Sequence, residues 1–443
     1  MSRDIPTPGA PLWRHRAFLH LWAAQSLSAF GSRITRTAIP IIAISTLAVT
    51  PGQAALLSAL GFAPILVAGL FGGGYVERAR KVRLMVMLDL VRFALVMAIP
   101  VAFALGVQSF WLLLVLSMLI SLAGALFQNA DVSILPRIVS DDQLVDANGK
   151  LQATESIAEL SGPGVAGVLI DLVTAPVAVI LDAFTFLWSA FWLRGVARHA
   201  PQADARSLES GPRPHPLQEL RDDFAIGAAA VLDRPALRAL VIGQALFYVS
   251  AGFAFGLYML FALRNLGLGP GVLGLIISMG GLSALGGALL ARRLATWLGF
   301  GPAIVATFAI GMVGNALLLP AVFRPEWGAP LLIAQQLLSD GAFMAHMILA
   351  ASLRQKLLPA DTIARANGFF QAMGGFGMLG ATLVGGAAAE AFGVGLAVVI
   401  GSATALVAIL PMLSPALLAL RREPEAETAS REREAGEPAQ GTL

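Results

Sequence analysis

The chain has 443 residues, of which 57% are hydrophobic and 13% charged. A soluble domain carries about 25% charged residues, so this composition excludes a water-facing surface over most of the chain and makes lipid the solvent. The net charge of +3 comes from dispersed basic residues, with no basic stripe of the kind that binds nucleic acid, and with no cysteine the chain has no disulfide, thiol nucleophile or thiolate metal site.

A helix needs about 20 apolar residues to cross a bilayer. In chain order such runs fall at 17–46, 52–76, 84–106, 109–135, 149–172, 175–195, 236–263, 271–293, 301–320, 328–353, 363–391 and 394–418. The breaks carry Pro, Gly and charge, as at Thr50-Pro51-Gly52, Leu268-Gly269-Pro270 and Arg324-Pro325-Glu326. The pattern predicts an all-α polytopic membrane protein with twelve transmembrane helices in two pseudo-symmetric six-helix bundles, 17–195 and 236–418. Residues 1–16 read as a cytoplasmic N-terminus without a cleavable signal, 196–235 as a central cytoplasmic loop, and 419–443 as a disordered cytoplasmic tail. Within the loop, Pro201 to Pro216 is expected to be flexible and Leu217 to Leu232 to form an interfacial helix. With both termini in the cytoplasm, 25 of the 30 basic residues fall on that side and only Arg264 and Arg324 outside. Such a bias orients a multi-pass protein in the plasma membrane, the inner membrane of a bacterium.

The two halves repeat at a constant offset of 219 positions. Gln25 matches Gln244, Pro51-Gly52 matches Pro270-Gly271, Gly61 matches Gly280, and Ala147-Asn148-Gly149 matches Ala366-Asn367-Gly368. Duplicated halves are how many transporters build alternating access around a midplane site. Asn148 and Asn367 are expected to cap the starts of equivalent helices.

The loop after the second run reads Gly73-Gly74-Tyr75-Val76-Glu77-Arg78-Ala79-Arg80-Lys81. It resembles the G-x-x-x-D-R-x-x-R/K signature of the major facilitator superfamily, with Glu77 in place of the usual Asp. The twelve runs, the six-plus-six repeat and the long central loop resemble that superfamily as well. The fifth run contains Ser161-Gly162-Pro163-Gly164-Val165-Ala166-Gly167. This is similar to the G-P-x-x-G-G motif of antiporter members, with Ala166 replacing one glycine; proline bends the helix and the small residues permit close packing. The arginine motif that many drug–proton antiporters carry in the fourth run is missing. Together with Ala-Asn-Gly after Asp141-Asp142, this resembles the branch of the enterobactin exporter and the macrolide and multidrug efflux proteins. The resemblance implies a secondary active transporter of small amphipathic compounds, such as drugs or siderophore-like metabolites, exported against proton entry. Its partners would be that small-molecule substrate, protons and the lipid bilayer, with no nucleic acid, and the protein is expected to be a monomer.

Ionisable residues inside a bilayer are costly and are functional candidates by default. Glu155 and Glu159, four apart on one helix face, and Asp340 are the candidates for proton coupling. Gln25, Arg33 and Gln244 are candidates for the substrate cavity. Gly73, Glu77, Arg78, Lys81, Asp89, Arg92 and Asp131 are read as a cytoplasmic gate. Gly162, Pro163 and Gly167 are read as the antiporter-type bend. Arg36 and Asp182 lie at similar depth, and a structural pair between them is at least as expected as a contact with substrate. His346 is the one histidine deep in a run, and a lone histidine is more often structural.

The chain has no P-loop and no metal-binding histidine spacing, so an enzyme, a metal and a cofactor are not expected. An importer or exchanger of a defined metabolite is the alternative. A receptor or lipid-handling protein is a weaker one, since the central loop is too short for a signalling domain. If Glu77 belongs to a gate, Glu77→Gln slows the transport cycle and leaves substrate affinity nearly unchanged; a binding and turnover assay in proteoliposomes separates the two, and an effect on affinity alone removes the gating role.

Overall fold

The apolar runs fold as helices in a computed structural model, whose described residues are 12–199, 216–359 and 362–421. In chain order they are α1 (Arg16–Ile41), α2 (Pro51–Arg78), α3 (Lys81–Ala104), α4 (Phe110–Ile134), α5 (Leu144–Val173), α6 (Ala175–His199), α7 (Pro216–Leu232), α8 (Pro235–Phe255), α9 (Tyr258–Leu260), α10 (Pro270–Leu298), α11 (Phe300–Asn315), α12 (Leu318–Phe323), α13 (Gly328–Leu357), α14 (Ile363–Phe392), α15 (Val394–Val407), α16 (Ile409–Met412) and α17 (Pro415–Leu418). No strand occurs among the described residues. The helices begin where the local chemistry allows. Thr50 and Gln53 form a capping box at the start of α2, with Pro51 at its first position, and Ser109 accepts the Leu112 N–H at the start of α4. The expected N-terminal segment up to residue 11, the flexible stretch 200–215 and the tail from residue 422 lie outside the described residues.

Among the described residues, nine helices are long and apolar enough to cross a membrane. The three remaining expected runs are α1, α2 and α13, of 26, 28 and 30 residues. Most side chains of the second half of α2 lie outside the described set. In α1 and α13 the apolar sequence is interrupted by His20, Gln25, Arg33 and Arg36, and by Gln335, Gln336, Asp340 and His346.

The 219-residue repeat is written in the backbone. The starts Arg16 and Pro235, Pro51 and Pro270, Lys81 and Phe300, Leu144 and Ile363, and Ala175 and Val394 all stand 219 apart. A π-helical segment follows α1 at Ile42–Thr46 and recurs at Phe261–Asn265. Each is closed by the same pair of bonds, Leu47 N–H to Ile42 O and Val49 N–H to Ala43 O, then Leu266 N–H to Phe261 O and Leu268 N–H to Ala262 O. The expected capping role of Asn148 does not hold. Asn148 is the fifth residue of α5, and its Nδ2 donates to the Leu144 carbonyl at 2.9 Å, because the helix begins one turn earlier than the apolar pattern indicated.

By packing, the chain divides into two compact units, Met1–Gly211 with Tyr258–Ser278, and Pro212–Leu257 with Met279–Leu443. In the first, α1 lies against α5 and α6, α3 against α4 and α6, and α2 against α4, over a core that includes Phe18, Leu21, Met85, Ile134 and Leu193. The start of α10 belongs to this unit through a seam of small residues on α5. A Cβ on Gly167 would strike the Pro270 carbonyl, one on Gly274 the Pro163 carbonyl, and Asp171 Oδ2 accepts the Gly271 N–H at 2.9 Å. In the second unit α8 packs on α14 and α15, and α11 on α13, around Leu237, Leu240, Phe308 and Leu353. A helix covers the stretch Leu217 to Leu232, as α7, and it docks on α14. Arg365 Nε meets Asp223 at 2.7 Å, Phe224 and Phe369 cross edge to face at 5.1 Å, and Gly227 leaves room for the Arg365 carbonyl.

Helices α5 and α14 end in the same backbone geometry, on different residues. Thr174 (φ 75°, ψ 154°) donates its N–H to Ile170 O, and Gly393 (φ 90°, ψ 153°) donates to Ala389 O. This backbone region belongs to glycine, and a β-branched residue held there costs about 1–3 kcal/mol. Thr174→Gly is therefore expected to stabilise the protein by roughly 1 kcal/mol and Gly393→Thr to destabilise it by as much or more, read as opposite shifts of the melting temperature in detergent.

Candidate functional site

The candidate residues gather mainly on α1 and on what touches it. Arg33 reaches across to α5 and holds two acids at once. Its Nη2 pairs with Glu155, and its Nη1 lies 3.2 Å from Glu159 Oε1 with Nη2 3.5 Å from Oε2. The spacing of four that puts both acids on one helix face is what lets a single guanidinium fork engage them. The arrangement is open: the side chains of Glu155 and Glu159 are 45% and 66% exposed, against 11% for Arg33. Both acids sit in the middle of a helix of 30 residues, where an open carboxylate is tolerated only if it faces water. Arg36, three residues further along α1, also interacts electrostatically with both acids.

The glycine of the antiporter-type motif has a direct role in this geometry. A Cβ on Gly162 would overlap Arg33 Cβ and Cγ, so the arginine stem lies on the α5 backbone at that position. Pro163 follows inside the helix and cannot donate to the carbonyl one turn back, which is that of Glu159. Next along, the Gly164 N–H donates to Ser278 Oγ at 2.9 Å, and Gly167 enters the seam with Pro270 and Gly271. The motif thus places the Arg33 stem on one side and the start of α10 on the other.

Gln25 donates from Nε2 to Asp131 Oδ1 on α4. One residue expected in the cavity and one expected at the gate are therefore partners. Its repeat equivalent Gln244 is buried and lies 3.4 Å from His346 Nε2 on α13. His346 Nδ1 lies 3.1 Å from the Ile304 carbonyl and its ring packs on Phe308. The two amides reach equivalent helices one turn apart.

The remaining acids separate by environment. Asp340 on α13 is half-buried and accepts from Ser339 Oγ at 3.3 Å, and Gly280 leaves the space into which Asp340 and Gln336 extend. Among the described residues no ion pair is formed by Asp340. Asp89 and Arg92 are both buried on α3, with Nη1 and Oδ1 3.4 Å apart. Arg92 also donates to Ser32 of α1 at 3.0 Å. The expected Arg36–Asp182 pair is not among the described ion pairs. Asp182 is 1% exposed and accepts the Thr185 hydroxyl at 3.0 Å, whereas Arg36 is exposed. Equal depth along two helices did not bring their side chains onto facing sides. Lys81 is 2% exposed at the start of α3, and the side chains of Gly73, Glu77 and Arg78 lie outside the described set.

One more cation is built into the first unit. Arg264 lies in the second π-helical segment and donates from Nη1 to the Val49 carbonyl and from Nη2 to the Ile44 carbonyl, both at 2.7 Å. These carbonyls sit at the end of the helical run that begins with α1, where a cation is favoured. The signal was available, because Arg264 is one of only two basic residues placed outside by the charge bias.

Among relatives, macrolide efflux protein A of Streptococcus pyogenes is 27% identical over 168 residues, covering 37% of this chain and 40% of that protein. The uncharacterized MFS-type transporter y4rN of Sinorhizobium fredii is 31% identical over 205 residues, covering 46% of this chain and 48% of its own length. The chain thus matches less than half the length of these curated relatives. A bacterial homologue of the iron transporter ferroportin, solved in an inward-facing state, has the same fold, with a TM-score of 0.71 over 91% of this chain and 99% of that one at 15% identity. A family model described as Major Facilitator Superfamily matches residues 21–379. With its apolar helices, the chain is a multi-pass membrane protein that belongs to the Major Facilitator Superfamily.

Proposed function

We propose that the protein is a proton-coupled exporter of small amphipathic compounds, working by alternating access between its two repeated halves, with both termini in the cytoplasm. The observation that carries this reading is the clamp of Arg33 between Glu155 and Glu159. Two open carboxylates share one guanidinium, so a proton or a cationic group of the substrate can take the place that Arg33 leaves. Competition of a proton and a substrate for the same carboxylates gives antiport. Export is supported by the bend at Gly162-Pro163, which resembles antiporter members, and by the similarity to macrolide efflux protein A. Gln25 and Gln244 add polar groups on repeat-matched helices, and Asp340 offers a third carboxylate, without a described cationic partner.

A charged side chain at the middle of a membrane helix costs roughly 2.5–3.5 kcal/mol on insertion scales. Protonation removes that cost and so biases which side the cavity opens to. Glu159→Gln and Asp340→Asn are each expected to abolish export driven by a pH gradient while energy-independent substrate exchange stays measurable. The assay is uptake and efflux of a labelled compound panel in proteoliposomes under an imposed gradient. If both variants export normally, the coupling lies elsewhere; if the wild type accumulates substrate in the opposite sense, the protein is an importer.

A further inference from the structure

The first unit holds a second charged cluster that is closed where the Arg33 clamp is open. Arg92 is 8% exposed, Asp89 0% and Asp182 1%. The guanidinium of Arg92 lies 3.9 Å over the Phe186 ring and 5.4 Å from that of Phe127, and it interacts electrostatically with both carboxylates. Asp89 takes the ion pair with Arg92 through Oδ1. Asp182 accepts on Oδ1 the Thr185 hydroxyl, which it shares with its own backbone carbonyl, in the space that Gly31 of α1 leaves open, and the Thr35 hydroxyl of α1 also acts on it. The second carboxylate oxygens of Asp89 and Asp182 are buried and make no well-aligned hydrogen bond, with the buried hydroxyls of Ser189 and Thr35 acting on the two carboxylates.

Two acids therefore meet one cation in a site closed to water. The other charged groups in reach are Asp131 from α4, which acts on Asp89, and Arg36 from α1, which acts on Arg92 and more strongly on Arg33, Glu159 and Glu155. One carboxylate stays in excess. A buried carboxylate without a counter-charge is far costlier than its protonated form, and two acids sharing a site hold one proton between them. We propose that Asp182 is a proton-binding site, neutral in this conformation, with Arg92 committed to Asp89. When the proton leaves, Asp182 becomes a second carboxylate and Arg92 is drawn between the two, away from Ser32. Ser32 and Arg33 are neighbours in α1, so the buried cluster and the open clamp are joined through one step of backbone. That link to transport rests on the proton-coupled reading above; the proton on Asp182 does not.

Infrared spectra of the purified protein, labelled with carboxyl-13C aspartate, test the site directly. The wild type is expected to show the carbonyl stretch of a protonated, water-shielded aspartic acid that shifts only slowly after transfer to D2O. Asp182→Asn removes one such band. Thr185→Ala keeps the carboxyl and moves the band, because its hydroxyl donor is gone; this variant decides the matter if Asp182→Asn does not fold. No such band in the wild type, a spectrum of Asp182→Asn identical to the wild type, or a band that Thr185→Ala leaves in place overturns the assignment. A protein that shows the band and its shift but no pH-driven export keeps the site and loses the coupled-export reading, and the reverse result loses the site alone.

Discussion

Charge carried into a membrane has to be answered within the protein, and much of this molecule is arranged around that requirement. Lipid supplies no counter-ion and no water. The first unit answers it with arginines: Arg33 for two acids of α5, and Arg92 for Asp89 of its own helix. Arginine suits the task because its planar fork can hold several oxygens at once and lies flat on an aromatic ring, as Arg92 does on Phe186. In the second unit the same depth of helix is furnished with amides, hydroxyls and one histidine, and its acid Asp340 has only a hydroxyl neighbour. The halves repeat in backbone and diverge in charge.

The backbone repeat is the more conservative of the two. Helix starts, π-helical turns and even the positive φ at the end of α5 and α14 recur at one spacing, although few side chains do. Glycine at position 393 fits a geometry that threonine at position 174 must tolerate. Capping, chain reversal and close packing constrain backbone geometry at particular residues, whereas chemistry in a cavity requires only that suitable groups arrive there. A duplicated chain can therefore keep its frame and vary its site.

This difference also decides how much could be read before the structure. Element boundaries were legible, because proline, glycine and charge mark them chemically, and the offset of 219 could be counted. The i,i+4 spacing of Glu155 and Glu159 was legible as a shared face. That Arg33 closes on that face was not, since rotation about each helix axis is set by packing of small residues such as Gly162. For the same reason Arg36 and Asp182 were matched by depth and do not pair, and Gln25 and Asp131, assigned to different tasks, are bonded. The two described helices that fall short of a membrane span by apolarity, α1 and α13, are those that carry Arg33 and Asp340. Their poor hydrophobicity is itself a pointer to the site.

The segment Tyr258–Ser278 belongs to the second half by descent and to the first unit by packing. Its Arg264 grips the carbonyls of Ile44 and Val49, and its Pro270 and Gly271 close on Gly167 and Asp171. The first unit is thus built from residues of both halves, whereas the second draws only on residues from 212 onward. A chain severed between residues 199 and 216 would lose its peptide continuity and keep this clasp. Two separately translated halves then have a means of finding each other that does not depend on a tether, and neither half has all the partners its own residues require when it is made alone.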